Sequence, residues 1–457
     1  MTKNPLPSRT RASRAFAWSI CVYGLVGAAD ASYAQERRSQ SAYATAFTEY
    51  TDNVARSPVS EKSAYVYGVS GGVSVATKRR WFDADLEADL SYLDSDSGLY
   101  DSGVLGNALG HLTFTPIPER FNWFVEGVYG QIPVEGRLAD TPANRQDFTS
   151  LTTGPQILVP LGARDLVELR GSYATINYEV TLDDSEQTEG SLSILHRLSP
   201  HQTFRLLAST ADTTYDREEL FRDYKQNRAF LEWEAIGART NLLVQAGYEV
   251  LDQEGEAKSG STLYNVRMRR KLGQRSSLIL QVDQSLSDTS SAFSQRLEFT
   301  GVGGGAVDVS ANPGVFRARS GKVHYQTQAK ELEIDVSGTY EQDRYLKDQS
   351  LVSDNRNAIF SGVSIFKRLT PVIAVGVFGD LTDADYIEQD FKYTEWDLGV
   401  MGSWRIARSV GLQLSAARTD RSGGFDEGGF KENVMRLSVF YATDGVPLDI
   451  RERPGHR

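Results

Sequence analysis

A chain of 457 residues with 40 % hydrophobic side chains can bury a large apolar surface, and a soluble protein of that length commonly divides into two or three domains. No proline-rich, Gly/Ser-rich or charge-block linker divides this one, so one large repetitive architecture is expected. The formal charge of −11 argues against nucleic acid, and a lone cysteine, Cys21, excludes disulfide staples and cysteine metal sites.

The first element is a leader. A basic start holds Lys3, Arg9, Arg11 and Arg14, an apolar stretch runs from Ala15 to Ala29, and small residues follow at Ser32 and Ala34. Cleavage after Ala34 satisfies the small-x-small rule of secretory signals. Removing 1–34, whose four cations outnumber Asp30 by three, leaves a charge of about −14 and takes Cys21 away. An uncleaved anchor is the competing reading, but the stretch is short for roughly 30 Å of hydrocarbon. Trp18-Ser19-Ile20 before Cys21 make a poor lipobox. The expected plan is a signal peptide over 1–34, a barrel over 35–441 and a polar periplasmic tail over 442–457.

From residue 41 onward apolar and polar residues alternate with period two. Between Trp81 and Tyr92, Phe82, Ala84, Leu86, Ala88, Leu90 and Tyr92 share one face, against Asp83, Asp85, Glu87, Asp89 and Ser91. The split recurs at Leu278–Leu286 and at Glu395–Arg405, where Trp396, Leu398, Val400 and Trp404 oppose Glu395, Asp397, Ser403 and Arg405. In the final strand Met435, Leu437, Val439 and Tyr441 alternate with Arg436, Ser438 and Phe440, the aromatic-ended pattern of a last barrel strand. No segment after the leader approaches the 20 or so apolar residues of a helical span, so membrane insertion requires a closed barrel.

Nine short turns join these segments, at 78–80, 116–120, 161–165, 198–201, 236–240, 272–275, 329–330, 369–371 and 406–409. Longer polar stretches separate the hairpins, at 94–103, 179–187, 213–226, 288–320 and 341–357. Short turns on one side and long loops on the other are the asymmetry of a bacterial outer-membrane barrel. A β-propeller shares the period of 35 to 45 residues, but it needs four short strands per repeat with both faces buried. Here one face is too charged for that. The expected fold is all-β: a transmembrane antiparallel up-and-down barrel of about 20 strands, with 18 to 22 open, whose end strands lie near 41–50 and 432–441.

A charge on the lipid face near mid-membrane costs about 2–4 kcal/mol for Arg or Lys. The acidic ladder Asp83, Asp85, Glu87 and Asp89 is therefore assigned to the lumen, with Glu331, Glu333 and Asp335, and with the basic set Arg267, Arg269 and Lys271. These ladders either pair with one another and with water or line a polar conduit. A loop plug is not readable, though Gly301–Gly305 is a candidate for folding inward. Trp123, Tyr173, Trp233, Trp396, Trp404 and Tyr441 fit an interfacial girdle, with sugar stacking the alternative for any that face inward. His111, His196, His201, His324 and His456 have no metal-binding spacing and no G-x-S-x-G elbow exists, so no catalytic residue, metal or cofactor is assigned and the chain is read as a non-enzyme.

Thr48-Glu49-Tyr50-Thr51-Asp52-Asn53-Val54, Ser57-Pro58, Trp123, Pro142-Ala143-Asn144-Arg145-Gln146 and Gly154-Pro155 resemble the outer-membrane porins found with exopolysaccharide and PEP-CTERM-associated loci, of the beta-barrel porin 2 type. The resemblance extends over the mature chain, with its marked motifs in the first third. It implies an outer-membrane conduit for export of a surface polysaccharide, working with a periplasmic polysaccharide export protein and embedded in outer-membrane lipids. A general diffusion porin for small solutes, a structural barrel anchoring polysaccharide and an outer-membrane hydrolase are the other classes.

Overall fold

Period-two segments rich in β-branched and aromatic residues become strands, because a strand throws successive side chains to opposite faces. The computed structural model describes residues 37–98, 102–181, 184–217, 222–253, 255, 257–288, 314–346, 355–423 and 429–444. The expected leader, Gly301–Gly305 and the tail beyond 444 lie outside these residues.

The sheet opens with β1 (Arg37–Thr51), β2 (Ala64–Arg79), β3 (Phe82–Ser95), β4 (Gly103–Ile117) and β5 (Phe121–Pro133). Then come β6 (Arg145–Pro160), β7 (Asp165–Tyr178), β8 (Ser185–Ser199), β9 (Gln202–Tyr215) and β10 (Tyr224–Ile236). They are followed by β11 (Thr240–Gln253), β12 (Ser259–Lys271), β13 (Ser276–Ser287), β14 (Phe316–Gln328) and β15 (Leu332–Tyr345). The last five are β16 (Arg356–Thr370), β17 (Ile373–Tyr386), β18 (Phe391–Ala407), β19 (Val410–Gly423) and β20 (Phe430–Ala442). Each pairs antiparallel with its chain neighbours, and β20 closes on β1 from Tyr43↔Ala442 to Thr51↔Val434. The chain is a closed 20-stranded up-and-down barrel of the outer-membrane type.

The nine even-to-odd connections from β2 to β19 contain two to four residues each, and all lie at the end where β1 begins and β20 stops. The loops lie at the other end. The five expected loops are all shorter than read: β3 runs to Ser95, β8 starts at Ser185, β9 runs to Tyr215, β14 already starts at Phe316, and β15 and β16 reach Tyr345 and Arg356. The reason is that backbone pairing continues above the membrane, where both faces of a strand tolerate polar residues. Strands of 12 to 17 residues exceed the 9–11 that a bilayer needs.

The last strand shows which face is which. Along β20, Phe430, Glu432, Val434, Arg436, Ser438 and Phe440 are buried, while Met435, Leu437, Val439 and Tyr441 are exposed. Register carries this parity round the sheet, since directly opposed residues share a face. The outward set includes Leu206, Leu231, Val377, Leu398, Val400 and Leu414, all exposed. At about 25 cal/mol per Å², so continuous an apolar surface belongs in hydrocarbon. Part of the inner face is itself packed: Phe366, Phe378, Met401 and Ala417 cluster on β16–β19, with the Phe378 ring lying where a Cβ of Gly399 would go.

One irregularity falls on a motif from the sequence. The β6–β7 register is interrupted between Thr153↔Tyr173 and Gln156↔Arg170, where Gly154 and Pro155 stand. Proline has no N–H to give the ladder. A Cβ on Gly154 would lie 1.9 Å from the Gly171 carbonyl oxygen, a backbone atom with no rotamer to change. Gly154→Val is therefore expected to lower the yield of folded barrel, seen as loss of the heat-modifiable band on gels. An undiminished band would show that the two strands can separate freely there.

Candidate pore constriction

The loop between β1 and β2 (residues 52–63) and the loop between β5 and β6 (134–144) both turn inward at the loop end of the barrel. The first is shaped by Asn53, whose side-chain amide donates to the carbonyls of Ser57 (2.8 Å) and Lys431 (3.0 Å) while its oxygen accepts from Ser57 N–H (3.0 Å). Asn readily bonds nearby backbone in this way and so shapes the turn. Val54 then packs on Ala64 and Val66, residues of the inner face.

The second loop is folded around Asn144. Its amide donates to the carbonyls of Glu135 (2.9 Å) and Ala139 (3.2 Å), and its oxygen accepts from Glu135 N–H (3.0 Å). A single 3-10 turn, Pro142–Asn144, leads back into β6. So held, the loop reaches a wall six to eight strands away. Tyr386 Oη of β17 donates to Gly136 O (3.2 Å), Arg421 of β19 donates to Arg137 O, and Arg137 donates to the Gln389 side chain. Contacts between strands so far apart in the sheet can only be made across the bore.

The two loops meet at Arg56. Its Nη1 donates to Asp140 O (2.8 Å), and its Nε pairs with Glu432 Oε2 of β20 at 2.9 Å, with side-chain exposures of 8 % and 0 %. Burial alone would lower the Arg56 pKa, yet Glu432, Glu395 and Asp140 outweigh it and raise the value, so the guanidinium stays charged. Asp140 also takes both Nε and Nη2 of Arg145 at 2.6 Å. Arg421 lies 3.7 Å over the Tyr393 ring, and Arg56 5.6 Å over Phe430. Several flat cations locked between carboxylates and rings make a rigid clasp that narrows one side of the mouth.

No known family model matches the chain, and no curated protein does. Among solved structures it is similar to the FrpB iron transporter from Neisseria meningitidis (8 % identity, TM-score 0.44, 88 % of this chain and 82 % of that one). It is similar also to the copper transporter OprC (10 %, 0.43, 90 % and 82 %) and to OccAB3 from Acinetobacter baumannii (9 %, 0.36, 89 % and 98 %). The likeness is one of fold.

Below the clasp the structure places the expected ladders on the inner face. Asp83 pairs with Lys78 at 3.1 Å; Asp85 and Glu87 are exposed to the lumen and have no ion-pair partner among the described residues. Asp89 continues the same face opposite Asn107. On β12, Arg267 Nε donates to Gln281 (2.8 Å), while Arg269 and Lys271 are exposed near the short-turn end. Asp335 binds His324 at 2.9 Å, and Glu333 lies beside Phe366 on the inner face. Glu331 is corrected: it sits in the turn 329–331 at the rim, because β15 begins only at Leu332. The acids of β3 and the cations of β12 are nine strands apart. Opposite walls of a twenty-stranded barrel stand about 40 Å apart, backbone to backbone, several screening lengths in physiological salt. The two sets therefore act as separate surfaces and do not pair.

The aromatics face outward. Trp123, Tyr173, Trp404 and Tyr441 are exposed, Trp233 stacks on Phe204 (6.3 Å), and Trp396 lies beside outward Leu381. The 134–144 loop was not singled out as a lumen element in the sequence. Prolines at 133 and 142 bracket it, but nothing in a short polar segment tells an inward loop from an outward one.

Proposed function

We propose that this barrel carries a hydrophilic substrate across the outer membrane through its lumen, and that the substrate is a surface polysaccharide on its way out of the cell. The observation supporting transport is the wall itself: Asp85, Glu87, Arg269 and Lys271 are exposed on the inner face of a closed barrel, which needs a hydrated interior. The polysaccharide rests on the resemblance of the Thr48–Val54, Pro142–Gln146 and Gly154-Pro155 motifs. Under this reading a neutral or weakly charged polymer slides past well-hydrated side chains without covalent chemistry, delivered by a periplasmic export protein. The clasp favours a second reading, a diffusion porin for small solutes, since a narrowed mouth sorts by size.

A clean gene deletion separates them, with polysaccharide quantified on the surface, in the medium and in the periplasm. Surface loss with periplasmic retention, or with synthesis shut down, is expected for an export conduit. Unchanged polymer in every fraction, with slower uptake of small hydrophilic solutes, would replace export by diffusion.

A further inference from the structure

The short turns carry a charge pattern opposite to that of the chain. Four of them repeat one motif, an exposed aliphatic residue three positions before an exposed arginine: Ile117 and Arg120, Leu161 and Arg164, Ile236 and Arg239, Leu272 and Arg275. Of the other five turns, three hold an exposed Arg80, Lys330 or Arg408, and the remaining two are preceded by Arg197 and Arg368 on the lumen face. Seven of the nine turns thus hold a cation, in a protein of net charge −11. None of these nine cations has an ion-pair partner among the described residues. The neighbouring acids are few: Asp83 and Asp165 are taken by Lys78 and His196, which leaves Glu119 and Glu331 exposed in turns and Glu234 exposed on the lumen face beside one.

The turns are also fixed in place. The last carbonyl of each accepts a backbone N–H from the strand beyond it: Leu158 to Arg120 (2.7 Å), Arg197 to Arg164 (2.8 Å), Lys271 to Arg239 (2.7 Å), Gln328 to Arg275 (2.8 Å), and likewise round the whole rim. The ring of cations therefore stands at one level. Just inside that level the outward face is aliphatic or aromatic, at Trp81, Ile117, Leu161, Leu198 and Ile406. The hydrocarbon band consequently reaches the turns, and the cations sit where phospholipid phosphates begin.

From this juxtaposition we infer that the short-turn rim is a binding surface for anionic phospholipids of the periplasmic leaflet, which it gathers as a ring around the barrel. An acidic protein or a soluble polyanion would match the charge, but neither calls for greasy residues beside each arginine all the way round. The inference rests on the rim alone and is independent of what the lumen transports.

The test uses the barrel's own tryptophans. Trp81, Trp123, Trp233 and Trp404 lie towards this end. The protein is reconstituted in mixtures of phosphatidylcholine and phosphatidylglycerol, with one or the other brominated on its acyl chains, and tryptophan quenching gives their relative affinity. Phosphatidylglycerol is expected to be preferred at least about two-fold at low salt, falling to parity in 1 M salt. The combined variant Arg164→Gln, Arg239→Gln, Arg275→Gln and Arg408→Gln should lose the preference, and the same four positions changed to Lys should keep it. Heat-modifiable migration reports that each variant is folded; should the Gln variant fail to fold, the salt series and the Lys variant decide. Equal affinity in the wild type, a preference indifferent to salt, or an undiminished preference in the folded Gln variant would overturn the inference. So would parity between the lipids together with binding of soluble polyglutamate in detergent, which would assign the ring to a polymer or an acidic partner.

Discussion

With residues 135–143 replaced by a short glycine link, the reconstituted barrel is expected to pass at least about twice the single-channel current of the wild type. The replacement is local, because Pro133 and Arg145 are already register partners and Val134 N–H already bonds Asn144 O at 2.9 Å. A turn can close where the loop now leaves the wall. What disappears is the whole set of cross-bore contacts from Gly136, Arg137 and Asp140 to Tyr386, Gln389, Arg421 and Arg56. The Arg56–Glu432 pair stays, so the first loop keeps its anchor and the wall its charge balance. Tyr386→Phe, which removes one neutral hydrogen bond worth about 1 kcal/mol, should leave the current nearly unchanged. Planar-bilayer recording checks both. Equal current from the loop-less and wild-type barrels would mean that the narrowest point lies elsewhere in the lumen.

Most of the fold was legible because a barrel imposes one rule on every strand. Phe82 to Tyr92 alternates with Asp83 to Ser91 whatever the neighbours are, and nine short turns fix the count once the two end strands are added. The ladders were legible for the same reason: Asp85 and Glu87 on one face of an otherwise apolar strand have a single affordable direction. The clasp was not legible. Arg137, Asp140 and Arg56 gain their meaning from Tyr386, Arg421 and Glu432, hundreds of positions away in the chain, and no periodicity links them. The basic rim lay in plain view, a cation in seven of the nine turns. It became informative only when the hydrogen bonds put all nine turns at one level.

Closure of the sheet gives the other large effect. Among the described residues β1 and β20 are the only paired strands that are not neighbours in sequence, so their contacts must repay the ordering of a very long loop. Two pairs from the loop end of this seam, Glu49 and Arg436 are direct register partners, with Arg436 Nε 2.8 Å from Glu49 Oε2 and side-chain exposures of 7 % and 0 %. The guanidinium also lies 4.2 Å over the Phe47 ring. Removing one partner leaves a buried charge without compensation, at a cost of about 3–5 kcal/mol, whereas replacing both by apolar groups of similar size is close to neutral. Glu49→Ala and Arg436→Met are therefore each expected to lower the midpoint of urea unfolding, followed by loss of the heat-modifiable band, far more than the double variant Glu49→Met with Arg436→Met. Single variants as stable as the wild type would show that the backbone ladder alone closes the barrel. A double variant as weak as the singles would show instead that the Phe47 stacking, rather than the charge pair, holds the seam.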